Sequence, residues 1–371
     1  MKLAFCIFNY FPYGGLERDC LKIIELCQQH GHQIDLYTMR YKGKKPKSVK
    51  VIEIPISGLS NHRRCLSFSR NCLKQLKQQH YDLTIGFNRM PGLDFYYAGD
   101  VCFAAEKAGK FFGLYRLTKR YRAYRFLEQS VFAPQSHCQI LALAQKQIDD
   151  YQHCYHTPAS RFHLLPPGID QRFMVGENHS HLRQKYHSEF KLEQKNLLLT
   201  LGSSFKRKGL DRSIMGLSNL PADIKKKTLL WVIGNDQNKY FVKLARQLNV
   251  AEQVKFLGAQ DDVLPFLLAA DVLLHPAYSE NTGQAILEAL VTGLPVLTTA
   301  NCGFAEHVTS SQGGIVLPQP FRQRDFNTAL QQLLSDTSLR AQSAQNALDY
   351  GHRVDLYSGK EKIIEIIARQ T

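Results

Sequence analysis

The sequence predicts an α/β protein made of two doubly wound domains that face each other across a cleft. Three observations predict it. Short apolar runs alternate with amphipathic helical patterns along the whole chain, which argues for parallel sheets covered by helices on both faces. That alternation starts a second time near residue 196. Between the two series lies "FHLLPPGIDQRF", residues 162–173, where Pro166, Pro167 and Gly168 stop one series before the next begins.

The first series of expected strands is "KLAFCIF", "HQIDLYT", "VKVIEIP", "YDLTIGF", "LDFYYAG" and "CQILALA". The second is "NLLLTLG", "TLLWVIG", "QVKFLG", "ADVLLHP" and "LPVLTT". These give an N-terminal domain over residues 1–165 and a C-terminal domain over 166–351. The last stretch, residues 352–371, reads as a helix that returns to the first domain. A chain of 371 residues is long enough for both.

Composition narrows the class. With 44% hydrophobic and 21% charged residues the chain is globular, not disordered. No apolar stretch approaches the ~20 residues that span a bilayer. The N-terminal apolar run has no small-residue cleavage site after it and reads as the first strand. Nine scattered cysteines without a Cys-x-x-Cys pair fit reduced, mostly buried thiols in a cytosolic protein. A net charge of +15 favours polyanionic partners: nucleic acid, anionic lipid or a phosphorylated glycolipid.

Three segments that follow strands carry candidate chemistry. Gly14 and Gly15 sit where the first strand gives way to a helix, so bare amides and the positive end of the helix dipole favour a phosphate. A plain tight turn uses the same pair, and the spacing is not Gly-x-Gly-x-x-Gly. Asp19, one turn further on, reads equally as a dipole-compensating acid or a ligand contact. In "LGSSFKRKGLDRSI", Arg207 and Lys208 precede Gly209 and a helix beginning near Leu210. Two fixed cations beside a helix start suit a diphosphate. Their place after a strand, at the expected mouth of the cleft, sets them apart from an ordinary solvated basic loop.

The third segment, "HPAYSENTGQAILEALVTGLPVLTTA", places Glu280 and Glu288 on either side of Asn281, Thr282, Gly283 and Gln284. Residues 283–292 read as a helix whose first amides offer another anion site. A carboxylate accepts two hydroxyl hydrogen bonds at once, which suits the vicinal diols of sugars and ribose. Plainer readings make Glu280 a dipole partner and Glu288 a mid-helix surface acid. The apolar flank of Glu288, "AILEALVTG", predicts burial, and a buried carboxylate needs a ligand or a cation. His137 and His275 are read as structural histidines.

Glu-x7-Glu, preceded by His-Pro and followed by "GLPVLTT", resembles the donor motif of the group 1 (family four) retaining glycosyltransferases. Their GT-B fold pairs two Rossmann-like domains. Gly14-Gly15, Lys208-Gly209 and "LPPGID" stand where that family carries its phosphate loop, diphosphate lysine and interdomain stretch, so the resemblance covers essentially the whole chain. More narrowly, "YFPYGGLERD", "FNRMPGLD", "ADVLLHPAYSE" and "KFFGLYRLTKRYRAY" are similar to the lipopolysaccharide core glucosyltransferases that glucosylate inner-core heptose.

The resemblance implies UDP-glucose as co-substrate, bound by the C-terminal domain, retention of configuration, a lipopolysaccharide core glycolipid as acceptor, bound by the N-terminal domain, and work at the cytoplasmic face of the inner membrane. It implies Glu288 on the ribose hydroxyls and Glu280 on the donor hexose. Lys208 and Arg207 neutralise the diphosphate, with the Gly14 and Gly15 amides behind it. Arg172 reaches the phosphates or sugar, and Val263 lies near uracil. There are two departures. The usual Glu-x-Phe-Gly reads Glu280-Asn281-Thr282-Gly283, which alters the donor-sugar pocket. The first-domain histidine of the family is replaced by Asp100 in "YAGDVC". No Asp-x-Asp occurs, so neither a cofactor nor an essential metal is expected.

Residues 103–132 hold seven Lys or Arg against two Glu, interleaved with aromatics. At helical spacing Leu114, Leu117, Tyr121 and Tyr124 share one side, roughly opposite Arg116, Lys119 and Arg122. That is the pattern of an interfacial helix, with Arg116, Lys119, Arg120, Arg122 and Arg125 on anionic lipid or on the phosphorylated acceptor. The plainer reading is a first-domain helix with a solvated basic face. No nucleic-acid module pattern is present, so nucleic acid is not an expected partner, and a monomer is expected. Competing readings are a UDP-sugar epimerase of similar fold, a transferase using another UDP-hexose and glycan acceptor, and a non-catalytic basic binding protein. The Glu280, Glu288 and Lys208 constellation argues against the last.

Overall fold

A computed structural model describes residues 1–11, 14–46, 48–108 and 113–370. The chain forms two compact units, Met1–Pro167 with Ser358–Thr371, and Gly168–Tyr357. The junction falls inside the expected Pro-Pro-Gly break.

The first unit carries β1 (Lys2–Cys6), β2 (Asn9–Tyr10), β3 (Gln33–Thr38), β4 (Arg40–Tyr41), β5 (Val49–Glu53), β6 (Leu83–Gly86), β7 (Phe95–Tyr97), β8 (Gln139–Ala142) and β9 (Phe162–Leu164). Seven of these form a sheet of order β5-β3-β1-β6-β7-β8-β9, while β2 and β4 pair as a small separate ribbon. Every pairing in the large sheet is parallel. The central strands β1, β3 and β7 are buried almost throughout, as a sheet covered on both faces requires. At one edge, β5 alternates partly buried and exposed residues. At the other edge β9 lies within the segment that reads as a break, because three residues are too few to show a period.

One face of this sheet packs Phe68, Tyr96, Phe132 and Tyr151. The other joins Ile23 and Ile24 of the helix Gly15–Gln29 to Ile363, Ile364, Ile366 and Ile367 of the helix Gly359–Ala368. The C-terminal helix therefore belongs to the first unit, which resumes at Ser358 and not at the expected residue 352.

The second unit carries β10 (Asn196–Leu201), β11 (Thr228–Ile233), β12 (Val254–Gly258), β13 (Val272–His275), β14 (Val296–Thr299) and β15 (Gly314–Leu317). They form a parallel sheet of order β12-β11-β10-β13-β14-β15. Its core includes Leu198, Leu230, Val232, Leu274 and Phe326. β15 escapes the sequence reading because Gly313 and Gly314 open it and four residues complete it.

Each sheet reverses its strand order once, between β1 and β6 in the first unit and between β10 and β13 in the second. In open α/β sheets ligands bind beyond the carboxyl ends of the strands at such a reversal. The loops after β10 and β13 are those that carry Lys208 and Glu280.

Residues 103–132 are not one helix. They contain the turn Phe103–Glu106, a 3₁₀ turn Tyr115–Leu117 and the helix Lys119–Phe132. Lys110, Phe111 and Phe112 lie outside the described residues. Thr118 caps the long helix by accepting from the Tyr121 amide at 3.1 Å, which breaks the expected stripe between Leu117 and Tyr121.

Candidate active site

Two glycines let the loops after β10 and β13 lie side by side. Gly202 has φ +105°, and a Cβ there would sit 3.0 Å from the Cε and Nζ of Lys208. Its absence lets the lysine fold back over the strand end. Gly209 has φ +77° and precedes the helix Leu210–Ser218; a Cβ there would come within 2.1 Å of the Pro276 carbonyl. The Tyr278 amide donates to the Arg207 carbonyl at 2.8 Å. Arg212, buried on the same helix, donates to the carbonyls of Pro276 and Ala277 at 3.0 and 3.2 Å. Its guanidinium lies between the rings of Tyr278 and Phe321, 3.6 and 3.8 Å from their centroids. Nothing in the local sequence distinguishes Arg212 from a surface arginine, so sequence reasoning missed it.

Glu280 is the centre of the cluster these loops create. Its Oε1 lies 2.8 Å from Arg207 Nη1. Its Oε2 lies 3.2 Å from Lys208 Nζ and 3.6 Å from His275 Nε2. Lys208 and Glu280 are 12% and 10% exposed, so water screens their attraction weakly. Burial alone would raise the Glu280 pKa, but Lys208, His275 and Arg207 outweigh it and hold the carboxyl well below its ordinary range.

His275 is completely buried at the end of β13, with neither ring nitrogen aligned for a hydrogen bond. Burial and Lys208 oppose its charge, yet Cys302 and Glu280 raise its pKa above the ordinary value. The sequence reading made it structural; the structure places it against the central carboxylate. The signal available was the His-Pro pair ending a buried strand five residues before Glu280.

Glu288 lies on the helix Gln284–Val291, which Gly283 opens with φ +97°. Leu287 and Ala289 are buried, whereas Gln284 and Glu288 are half-exposed. The apolar flank therefore does not bury Glu288, because residues four apart share the helix side turned outward. The Thr282 carbonyl accepts from the Phe304 amide at 2.8 Å and the Glu280 carbonyl from Gly303 at 3.2 Å, which fixes the turn holding Asn281.

The remaining expected donor residues are placed less uniformly. Arg172 lies over the Phe173 ring, 3.6 Å from Asp170 and 3.8 Å from Asp262, next to Val263 at the start of the helix Leu264–Ala269. In the first unit Gly14 and Gly15 do open the helix Gly15–Gln29. Glu17 is buried there, its carboxylate so close to Gly14 that a Cβ would meet Oε2 at 1.7 Å, and burial raises its pKa. The helix start is thus not bare.

Asp19, read equally as a dipole-compensating acid or a ligand contact, is engaged within the first unit. Its Oδ2 accepts from the Tyr97 hydroxyl at 3.0 Å and its Oδ1 lies 3.3 Å from Lys360 Nζ. It braces the C-terminal helix against the first. Asp100 is exposed beyond β7 and lines a cavity of mixed polar and apolar side chains within the first unit.

The basic segment also divides. Arg116 donates to the carbonyls of Lys107 and Ala108, and Arg125 lies 4.0 Å over the Tyr155 ring. These two hold the fold together. Lys119, Arg120 and Arg122 are exposed, close in sequence to Leu114 and Leu117 at 85% and 68% exposure.

Residues 13–173 match Glycosyltransferase Family 4, and residues 183–349 match Glycosyl transferases group 1. The lipopolysaccharide glucosyltransferase WaaG of Escherichia coli K12 is 42% identical over 368 residues, covering 99% of this chain and 98% of that protein. The chain belongs to the group 1, family four glycosyltransferases.

The crystal structure of WaaG, a glycosyltransferase involved in lipopolysaccharide biosynthesis, matches with a TM-score of 0.91 and covers 98% of this chain and 99% of that one. Anabaena HepE in complex with UDP and glucose matches at a TM-score of 0.71 with 17% identity over the full length of both chains, a likeness of fold. The two parallel sheets are accordingly the Rossmann-like domains of the GT-B fold. In this glycosyltransferase, no helix among the described residues is long and apolar enough to cross a membrane.

Proposed function

We propose that this glycosyltransferase moves glucose from UDP-glucose onto inner-core heptose of lipopolysaccharide, with retention, at the cytoplasmic face of the inner membrane. The observation that carries the reading is the Arg207–Lys208–Glu280 cluster at the strand-order reversal of the second sheet. The likeness to a lipopolysaccharide glucosyltransferase over 99% of the chain supports the choice of sugar and pathway.

Lys208 and Arg207 take the diphosphate, whose negative charge grows as the glycosidic bond breaks; fixed cations in a weakly screened site then stabilise the transition state more than the ground state. Glu280, held in place by both cations and His275, accepts hydroxyl hydrogen bonds from the hexose. Glu288, half-exposed at the same helix, accepts from the ribose. Asn281, Thr282, Gly283 and Gln284 bring the positive end of that helix to the phosphates.

The acceptor hydroxyl attacks the anomeric carbon from the face that UDP leaves. A carbon–oxygen bond forms to the acceptor, the bond to the diphosphate breaks, and the departing phosphate oxygen takes the hydroxyl proton. Two cations fill the role that a divalent metal plays in metal-bridged transferases, so the reaction runs without one. Lys119, Arg120 and Arg122, with Leu114 and Leu117, dock the protein on anionic lipid.

The test is transfer to a defined acceptor. Core oligosaccharide from a strain lacking this gene should gain one hexose from UDP-glucose in the presence of the purified protein. Turnover of UDP-glucose to another UDP-sugar, with the acceptor unchanged, would make the protein an epimerase instead.

A further inference from the structure

The loop after β14 brings Cys302 to the base of the Glu280 cluster. Glu280 and Cys302 form an isolated parallel β-bridge. In it the Glu280 amide lies 3.4 Å from the Asn301 carbonyl, and the Gly303 amide donates to the Glu280 carbonyl at 3.2 Å. Cys302 is 1% exposed, and Thr298 on β14 is fully buried. The Thr298 hydroxyl lies 2.9 Å from the His275 carbonyl and 3.3 Å from Cys302 Sγ, and it donates to either. Cys302 thus reaches Glu280 through the main chain and His275 through its sulfur.

Two buried atoms of this cluster face each other without an aligned hydrogen bond: His275 Nε2 and Glu280 Oε2, 3.6 Å apart. Arg207 and Lys208 hold the carboxylate, at 2.8 Å from one oxygen and 3.2 Å from the other. These are the two cations assigned to the donor diphosphate. A diphosphate competes with Glu280 for both, and a buried carboxylate stripped of its partners is unfavourable. His275 is placed to replace them, because closing the gap to about 2.9 Å makes a charge-assisted hydrogen bond.

That bond is strongest from the imidazolium. The charged and titratable groups facing His275 are Lys208 after β10, Glu280 after β13 and Cys302 after β14. Burial and Lys208 oppose its charge, while Cys302 and Glu280 favour it. Burial raises the Cys302 pKa too, but His275 and Thr298 bring it below the ordinary value. Each member of the Cys302–His275 pair draws the other towards its charged form.

We infer that Cys302 is a positioning residue for the donor hexose: acting through His275, it keeps Glu280 paired and aimed when the diphosphate draws Lys208 and Arg207 away. The inference deepens the proposed donor site and rests on that reading.

Calorimetric titration of UDP and of UDP-glucose into wild type, Cys302→Ser and Cys302→Ala tests it. Glu280 meets the hexose and not the nucleotide. Both variants should therefore bind UDP-glucose about 3- to 10-fold more weakly, the range of one hydrogen bond, and bind UDP as the wild type does. The phosphates of UDP-glucose keep their charge across the neutral range, so its pH profile reports the protein. Wild-type affinity for UDP-glucose should fall as rising pH takes the proton from His275, above the ordinary 6.5. In both variants that fall should begin at lower pH, because the sulfur no longer raises the imidazole. Equal weakening of UDP and UDP-glucose would make Cys302 merely structural and overturn the inference. An affinity or pH profile for UDP-glucose unchanged in the two variants overturns it as well. A wild type that binds neither ligand overturns the donor-site reading itself.

Discussion

Lys208 Nζ and Glu280 Oε2 lie 3.2 Å apart, so the loops after β10 and β13 share one charge site. Their pairing requires Gly202 to admit the lysine and Gly209 to admit the Pro276 carbonyl. Lys208→Ala should lower turnover by roughly 10²–10³, the usual loss when one transition-state donor is removed. Arg207 shares the diphosphate, so Arg207→Ala with Lys208→Ala is the sharper test. Near-wild-type turnover in the double variant would place the diphosphate elsewhere.

Glu288→Ala should weaken UDP by roughly 1.5–3 kcal/mol per ribose hydrogen bond lost. Glu288 is partly exposed on its helix, and a melting curve of the variant checks that it stays folded. Calorimetric titration with UDP measures the change directly. Unchanged affinity would remove Glu288 from the donor site.

The fold and the residues of the Arg207–Lys208–Glu280 cluster were legible in the sequence because they rest on periodic apolar runs and on residue types with few uses. Two fixed cations before a glycine, or two glutamates eight apart around a helix start, have a narrow set of chemical meanings. Side-chain partnerships were not legible. Asp19 looks like a ligand contact until Tyr97 and Lys360 are seen to engage both its oxygens. The stripe from Leu114 to Tyr124 looks helical until the Thr118 cap interrupts it. His275 gains its role through Glu280 and a lysine on a different loop, Lys208, and Glu17 folds back on Gly14 in a way that spacing alone does not reveal.

The His275–Glu280 contact predicts a pH signature in stability. His275 has a folded pKa raised above 6.5, so its contribution is complete below 6.5 and fades as pH rises through the folded value. Glu280 has a folded pKa held below 4.5, so its contribution is complete above 4.5 and fades as pH falls through the folded value. Both act fully between about 4.5 and 6.5. The melting-temperature advantage of wild type over His275→Gln should be largest in that window and shrink above it. A difference independent of pH would show that Cys302 and Glu280 do not hold the imidazole charged.

Lys119, Arg120 and Arg122 are exposed, whereas Arg125 lies over Tyr155. Changing the three exposed cations to Gln should remove about 1 kcal/mol of attraction each to anionic vesicles, with UDP affinity and melting temperature unchanged. Adding Arg125→Gln should lower stability as well. Co-sedimentation with vesicles of rising anionic content, at low and high salt, reads the first effect, and thermal melting reads the second. Equal sedimentation of wild type and the triple variant would move the membrane contact to another surface.

The most direct test is the product itself. Purified protein, UDP-glucose and core oligosaccharide from a strain lacking this gene should be incubated with EDTA, then analysed by mass spectrometry and by NMR of the anomeric proton. The account predicts one added hexose per acceptor in the α configuration of the donor, one UDP released per transfer, and no dependence on added metal. A β-linked product, or activity abolished by EDTA and restored by a divalent cation, would contradict it.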